Sequence, residues 1–155
     1  MGSSKSEPEA RPGTYALLLR IDSLMTVTVG RRGPMVLAPG WGIYVGSALG
    51  SGGVQARLAH HRRLADRPHW HIDYLRQHGQ LAAVWFSYDP VRRECLWAAV
   101  LAAELGGQTP PFRFGASDCR CPAHLYLFRD RPSRAALTAA LCKRIPNHAA
   151  VLEGG

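Results

Sequence analysis

Residues 40–63 constrain the fold of this chain more than any other segment does. A short strand pattern around Tyr44 leads into a glycine-rich turn, and a helical pattern follows the turn. Arg57 and His61 are four residues apart, so a helix would place their side chains next to each other. A phenol, a guanidinium and an imidazole are therefore expected close together. This arrangement is typical of an active site, and equally of a core tyrosine beside a solvated basic helix.

The charge of the chain favours a polyanionic partner. Its formal net charge is +8, and 17 of its 19 basic residues are arginines. Arginine binds phosphate through paired hydrogen bonds, so DNA is the expected partner, although the compositional bias of a GC-rich genome gives the same excess. The residues expected to contact the phosphodiester backbone are His60, Arg62, Arg63 and Arg67.

Nothing in the sequence indicates a membrane or secreted protein. No apolar run approaches the ~20 residues that cross a bilayer, and residues 1–12 lack the apolar centre of a signal peptide. The four cysteines are therefore expected to be reduced thiols. We expect a cytoplasmic protein without membrane association.

The pattern of elements predicts one domain. We expect it to span residues 13–145, between a disordered N-terminal tail (1–12) and a C-terminal tail (146–155). The predicted strands are 13–21, 25–29, 35–37, 43–47, 80–88 and 124–128, and the predicted helices are 54–65, 69–78, 92–105 and 133–143. This order indicates an α+β or a mixed α/β fold with a small sheet.

Glu94 has an unusual position in the predicted helix 92–105. It falls on the same apolar face as Trp97 and Leu101, where a carboxylate is costly unless it meets a cation, a hydrogen-bond donor or a metal ion. Two ordinary explanations compete with a metal site. An acid in the first turn stabilises the helix dipole, and either neighbouring arginine could pair with it.

His69 and Asp73 would share one face of the predicted helix 69–78. An aspartate beside a histidine commonly orients the imidazole for proton transfer. The alternative is a pair of half-exposed histidines beside a buried Trp70.

Cys119, Cys121 and His124 raise the possibility of a zinc site. They could supply three ligands, with a fourth from elsewhere, but the two cysteines are closer than in the usual zinc motifs. A buried turn packed under the sheet is the favoured interpretation of this segment.

Several motifs together resemble the GIY-YIG nuclease superfamily. The tripeptides Gly13-Thr14-Tyr15 and Tyr44-Val45-Gly46 correspond to the two elements that name it. The segments YVGSALG, HWHIDYL and SDCRCPAHL are similar to motifs of a little-characterised branch, found alone or attached to a DNA-repair glycosylase. The resemblance spans about residues 13–128.

This resemblance implies a small, mostly antiparallel sheet flanked by helices and the hydrolysis of a DNA phosphodiester with one Mg²⁺ or Mn²⁺ ion. It implies that Arg57 contacts the scissile phosphate and that Glu94 binds the metal ion. The catalytic residues implied are Tyr15, Tyr44, Arg57, His61, His69 and Glu94.

Two features depart from the superfamily pattern. The interval between Tyr15 and Tyr44 is longer than usual, and the late asparagine of the family has no counterpart here. Two alternatives therefore stay open beside the endonuclease. One is a non-catalytic nucleic-acid-binding module of the same fold, and the other is a zinc-stabilised interaction domain.

Overall fold

The computed structural model describes residues 5–63, 71–110 and 123–154, which fold around a five-stranded antiparallel sheet. The strands, including those of a separate hairpin, are β1 (Gly13–Ile21), β2 (Met25–Thr28), β3 (Pro34–Leu37), β4 (Gly40–Ala48), β5 (Gln80–Tyr88), β6 (Leu125–Phe128) and β7 (Leu152–Gly154). The central sheet has the order β6-β4-β1-β5-β7, and every neighbouring pair is antiparallel. The predicted α+β fold with a central antiparallel sheet is confirmed.

Four α-helices lie within the described ranges. They are α1 (Gly53–Arg62), α2 (His71–Arg76), α3 (Glu94–Ala103) and α4 (Arg134–Arg144). The last helix begins with a side-chain cap, because the Ser133 hydroxyl accepts a hydrogen bond from the Ala136 amide at 3.0 Å. None of these helices is long and apolar enough to cross a bilayer.

The two faces of the sheet carry separate apolar cores. Along β1, alternate side chains point to opposite faces, and every residue of the strand except Arg20 is buried. Leu17 and Leu19 pack with residues of α1 and α2, and we call this side the α1 face. Ala16 and Leu18 pack with residues of α3 and α4, on what we call the α3 face. Burial on both sides explains the near-continuous apolar run of β1.

The long interval between Tyr15 and Tyr44 is filled by the β2–β3 hairpin. Its strands form a two-stranded antiparallel sheet of their own, closed by a 3₁₀ turn at Gly30–Arg32. Val27 and Met35 are buried in the core of the α1 face. The hairpin therefore covers one end of that core without entering the central sheet.

The described parts of both predicted tails contact the domain more closely than the sequence pattern indicates. In the predicted N-terminal tail, Ser6 donates a backbone hydrogen bond to Glu153, and the Pro12 carbonyl accepts one from Asp89. In the predicted C-terminal tail, β7 pairs with β5 at the edge of the sheet. These short segments carry no periodic pattern because backbone hydrogen bonds, rather than a row of apolar side chains, hold them in place.

Candidate active site

Tyr15 and Tyr44 lie on neighbouring strands and share the α1 face. The β1–β4 register pairs Tyr15 with Gly46 and Tyr44 with Leu17, so the two phenols are diagonal neighbours. Gly46 is necessary for this packing, because a Cβ atom there would overlap the ring and hydroxyl of Tyr15. The Tyr-Val-Gly motif therefore has a steric basis, in which the glycine makes room for the tyrosine of the other strand.

His61 joins the two tyrosines from α1. Its Nε2 atom lies 2.7 Å from the Tyr15 hydroxyl oxygen, which is hydrogen-bond distance. Its ring also meets the Tyr44 ring edge-on, with centroids 6.1 Å apart. His61 is 1% exposed, so its imidazole is removed from bulk solvent. We call Tyr15, Tyr44 and His61 the tyrosine–histidine cluster.

Burial shifts all three members of this cluster towards their neutral forms. Desolvation raises the pKa of Tyr15 well above its ordinary value, and the neighbouring Tyr44 adds to the effect. Desolvation likewise raises the pKa of Tyr44, with further contributions from Glu94 and then Asp73. Desolvation lowers the pKa of His61 to about 3. At neutral pH the cluster therefore holds two phenols and an uncharged imidazole.

Arg57 supplies positive charge to the cluster from the preceding turn of α1. It lowers the pKa of both tyrosines, against the effect of burial, which puts its guanidinium within electrostatic range of both phenols. Arg57 and His60 also line a cleft of about 260 Å³ beside the glycine-rich turn. An anion in this cleft would lie next to the guanidinium.

The glycine-rich turn fixes where α1 begins. Gly52 and Gly53 have φ values of 82° and 55°, in the left-handed region that favours glycine. A Cβ atom on Gly53 would also overlap the backbone of Arg11. The Arg11 carbonyl accepts a hydrogen bond from the Val54 amide at 2.8 Å, so the N-terminal segment caps the helix.

Asp73 of α2 is paired with a histidine of α1. Its Oδ1 atom lies 3.3 Å from Nε2 of His60, and the carboxylate is almost completely buried. The predicted partner, His69, lies outside the described residues. Arg76 strengthens the same contact between the helices, because its Nε donates to the His61 carbonyl at 2.9 Å.

Glu94 lies at the start of α3 and is 5% exposed. Its carboxylate forms a short ion pair with Arg92, and its Oε2 lies 3.7 Å from Nδ1 of His124. Glu94 also raises the pKa of Tyr44 more than any other charged group does, so it lies within electrostatic range of the cluster. Arg93 is the other arginine that could have paired with Glu94, and it is paired with Asp89.

Glu94 is the expected ligand of one Mg²⁺ or Mn²⁺ ion, and carboxylate oxygen is the donor type that these ions prefer. Such an ion needs only one or two carboxylates, with water and substrate phosphate completing its coordination. The Arg92 guanidinium already places a positive charge against the carboxylate, and its side chain is 48% exposed to solvent. Glu94 could hold the ion once Arg92 had moved.

The remaining residues predicted to bind DNA or zinc are either exposed or outside the described residues. Arg62 and Arg63 are exposed at the end of α1. Arg67, Cys119 and Cys121 lie outside the described residues, so the zinc hypothesis has no described geometry beyond His124 beside Glu94.

Two site residues were missed by reasoning from the sequence. Arg76, which holds the end of α1, has no local signal for this role because two of its backbone partners, the carbonyls of His61 and Arg62, belong to another helix. His124 was considered only as a zinc ligand. Its place beside Glu94 follows from the pairing of β6 with β4, since the His124 carbonyl accepts a hydrogen bond from Val45.

Residues 14–147 match the family model described as a domain of unknown function, DUF123. No curated protein and no solved structure matches the chain.

Proposed function

The chain belongs to the DUF123 family, and from its motifs and the geometry of its tyrosine–histidine cluster we propose that it is a metal-dependent DNA endonuclease of the GIY-YIG type. The observation that carries the proposal is the 2.7 Å contact between the Tyr15 hydroxyl and Nε2 of His61, with Arg57 in electrostatic range of both. A structural core would not need a buried imidazole, two phenols and a guanidinium at one point. A phosphodiester hydrolase does need a proton acceptor beside a phosphate-binding cation.

The contact suggests a route for the proton of the attacking water. As water adds to phosphorus, its proton passes to the Tyr15 oxygen while the Tyr15 proton passes to Nε2 of His61. The bond from phosphorus to the leaving oxygen then breaks. A neutral His61 has the lone pair that this step requires, and the negative charge of the bound phosphate favours the protonated imidazole.

Arg57 and Glu94 would serve the phosphate and the metal ion. The Arg57 guanidinium would stabilise the charge that develops on the phosphate oxygens. Glu94 would bind Mg²⁺ or Mn²⁺, which supplies Lewis-acid stabilisation of the leaving oxygen when bound. Tyr44, packed against His61, would help to position the phosphate.

A nuclease assay on single- and double-stranded DNA with Mg²⁺, Mn²⁺ or EDTA tests the proposal. We expect cleavage that EDTA abolishes and that Glu94→Gln and Arg57→Ala each reduce by ~100-fold or more. The matched control for the carboxylate is Glu104→Gln, because Glu104 lies just beyond the far end of the same helix and pairs with Arg144. Equal cleavage by wild type and Glu94→Gln would show that this carboxylate does not hold the ion.

A second function is favoured by one observation, the pairing of Glu94 with Arg92. If Arg92 neutralises this carboxylate permanently, the protein would bind nucleic acid without cutting it. DNA binding would then weaken steeply with salt, as the net charge of +8 indicates. Neither Mg²⁺ nor Mn²⁺ would produce cleavage by the wild type, whereas Arg92→Ala, which removes the neutralising charge, would gain metal-dependent cleavage.

A further inference from the structure

We propose that His60, His61 and Asp73 form a binding site for a transition-metal ion such as Zn²⁺, separate from the carboxylate of Glu94. The three side chains each offer one ligand atom, and these atoms all lie within 4.8 Å of one another. Two imidazoles and one carboxylate are a common ligand set for zinc and its neighbours.

The distance between two of the ligand atoms matches a zinc site. Zinc bonds of about 2.0–2.2 Å in a tetrahedron place neighbouring ligand atoms roughly 3.4 Å apart. Nε2 of His60 and Oδ1 of Asp73 are 3.3 Å apart. The ligand atom of His61 lies within 4.8 Å of the other two, so an ion would draw it inwards by no more than about 1.4 Å.

The fold holds these donors in place without any ion. His60 and His61 are consecutive on α1, and their rings stand at 83° to each other with centroids 5.2 Å apart. Asp73 approaches from α2, and the Arg76 hydrogen bond to the His61 carbonyl fixes the spacing of the two helices. An ion would therefore bind between two helices that a hydrogen bond already connects.

Access and charge determine which ion fits. The His60 side chain is 33% exposed, which leaves a path from solvent, whereas Asp73 is buried. Asp73 supplies a single negative charge, and Arg57 and Arg76 lie near enough to lower the pKa of His61. This balance disfavours Mg²⁺, which prefers several oxygen ligands, and favours an ion that bonds strongly to imidazole nitrogen.

Occupation of this site would block the proposed proton route, a consequence that rests on the proposed function. Neutral imidazole has one lone pair, and a bound metal ion uses it. The other ring nitrogen then carries hydrogen and can only donate. His61 could no longer accept the Tyr15 proton, so Zn²⁺ would inhibit cleavage supported by Mg²⁺.

Direct binding of Zn²⁺, measured by competition with a chromophoric chelator, tests the site without any activity. We expect His60→Ala to weaken the affinity of one equivalent by more than about 10-fold, because even groups that only orient a ligand contribute that much. The control is His78→Ala, which removes an exposed histidine just beyond α2 and leaves binding unchanged. Zinc held by cysteines elsewhere would be equally present in all three proteins and would cancel in the comparison.

Equal zinc binding by wild type and His60→Ala overturns the proposal. Asp73→Asn is a second variant for the same zinc-binding measurement. Its folding is checked by circular dichroism, because Asp73 is buried. The activity arm compares zinc inhibition of Mg²⁺-dependent cleavage by wild type and His78→Ala. If zinc binds through His60 without inhibiting either protein, the metal site stands and the proton route through His61 is wrong.

Discussion

The Tyr15 hydroxyl lies 2.7 Å from Nε2 of His61, in a place where neither side chain is more than 3% exposed. Tyr15 lies on a strand and His61 on a helix 46 residues later, and one hydrogen bond joins them. Because both groups are desolvated, the loss of either partner leaves the other without its hydrogen bond in a buried position. The pair therefore affects stability as well as chemistry.

Tyr15→Phe should lower both stability and cleavage. Removing the hydroxyl leaves His61 without this partner, which we expect to cost about 1–3 kcal/mol in the free energy of unfolding. Cleavage should fall by ~100-fold or more if the hydroxyl relays a proton. Urea unfolding and the nuclease assay measure the two effects.

The control for Tyr15→Phe is Tyr126→Phe. Tyr126 is 1% exposed but packs on the α3 face, away from the cluster. The Tyr126→Phe protein should lose stability without a comparable loss of cleavage. A similar fall in cleavage in both variants would show that only folding had changed.

Gly46→Ala should displace Tyr15. The new methyl group would overlap the Tyr15 ring from the opposite strand, and overpacking of this kind costs about 1–3 kcal/mol. We expect a lower midpoint of thermal unfolding and a changed environment of Tyr15 in near-ultraviolet circular dichroism. Gly50→Ala, at a site where a Cβ would meet nothing within 4 Å, should leave both signals unchanged.

Stability should fall as the pH falls below the ordinary pKa of histidine. The pKa of His61 is about 3 in the folded protein, because burial opposes its charged form, against 6.5 when unfolded. The unfolded chain therefore binds the extra proton, so this stability is present above pH 6.5 and is lost towards pH 3. Between pH 7 and pH 5 the loss should be about 2 kcal/mol.

Urea unfolding with EDTA present measures this loss in metal-free protein. His61→Gln keeps a polar side chain but has no titrating ring, so its unfolding free energy should depend less on pH over the same interval. An equal dependence in both proteins would assign the effect to other groups.

Tyr88→Phe should release the N-terminal segment. The Tyr88 hydroxyl accepts a hydrogen bond from the Glu9 amide at 2.8 Å, and the Arg11 guanidinium stacks over the same ring. Without the hydroxyl, the Glu9 amide should exchange faster with solvent deuterium. Amides within β1 serve as the internal reference and should keep their exchange rates.

The sequence predicted the long strands better than the short ones. The bounds of β1 and β5 were predicted as observed, because each is an apolar run that ends at glycine, proline or aspartate. β4 was predicted from residue 43 but begins at Gly40, since glycine carries no strand signal even where it pairs. β7 was missed because only its pairing with β5 makes it a strand.

The candidate site was predictable in part for the same reason. The spacing of Arg57 and His61 on a helix can be read from the sequence, as can the glycine two residues after Tyr44. The partner of Asp73 and the contact of Glu94 with His124 cannot, because they depend on how separate helices and strands pack. Asp73 contacts His60 from another helix, and Glu94 contacts His124 from a distant strand.

The pairing of β1 with β4 has a consequence for variation in this chain. Strand register, rather than the length of the intervening chain, determines where Tyr15 and Tyr44 lie. The tip of the β2–β3 hairpin is therefore a position where sequence of another length can be inserted without moving either phenol. A Cβ atom at Gly33 would meet nothing within 4 Å, so this residue is a suitable insertion site for a reporter peptide or a second recognition loop.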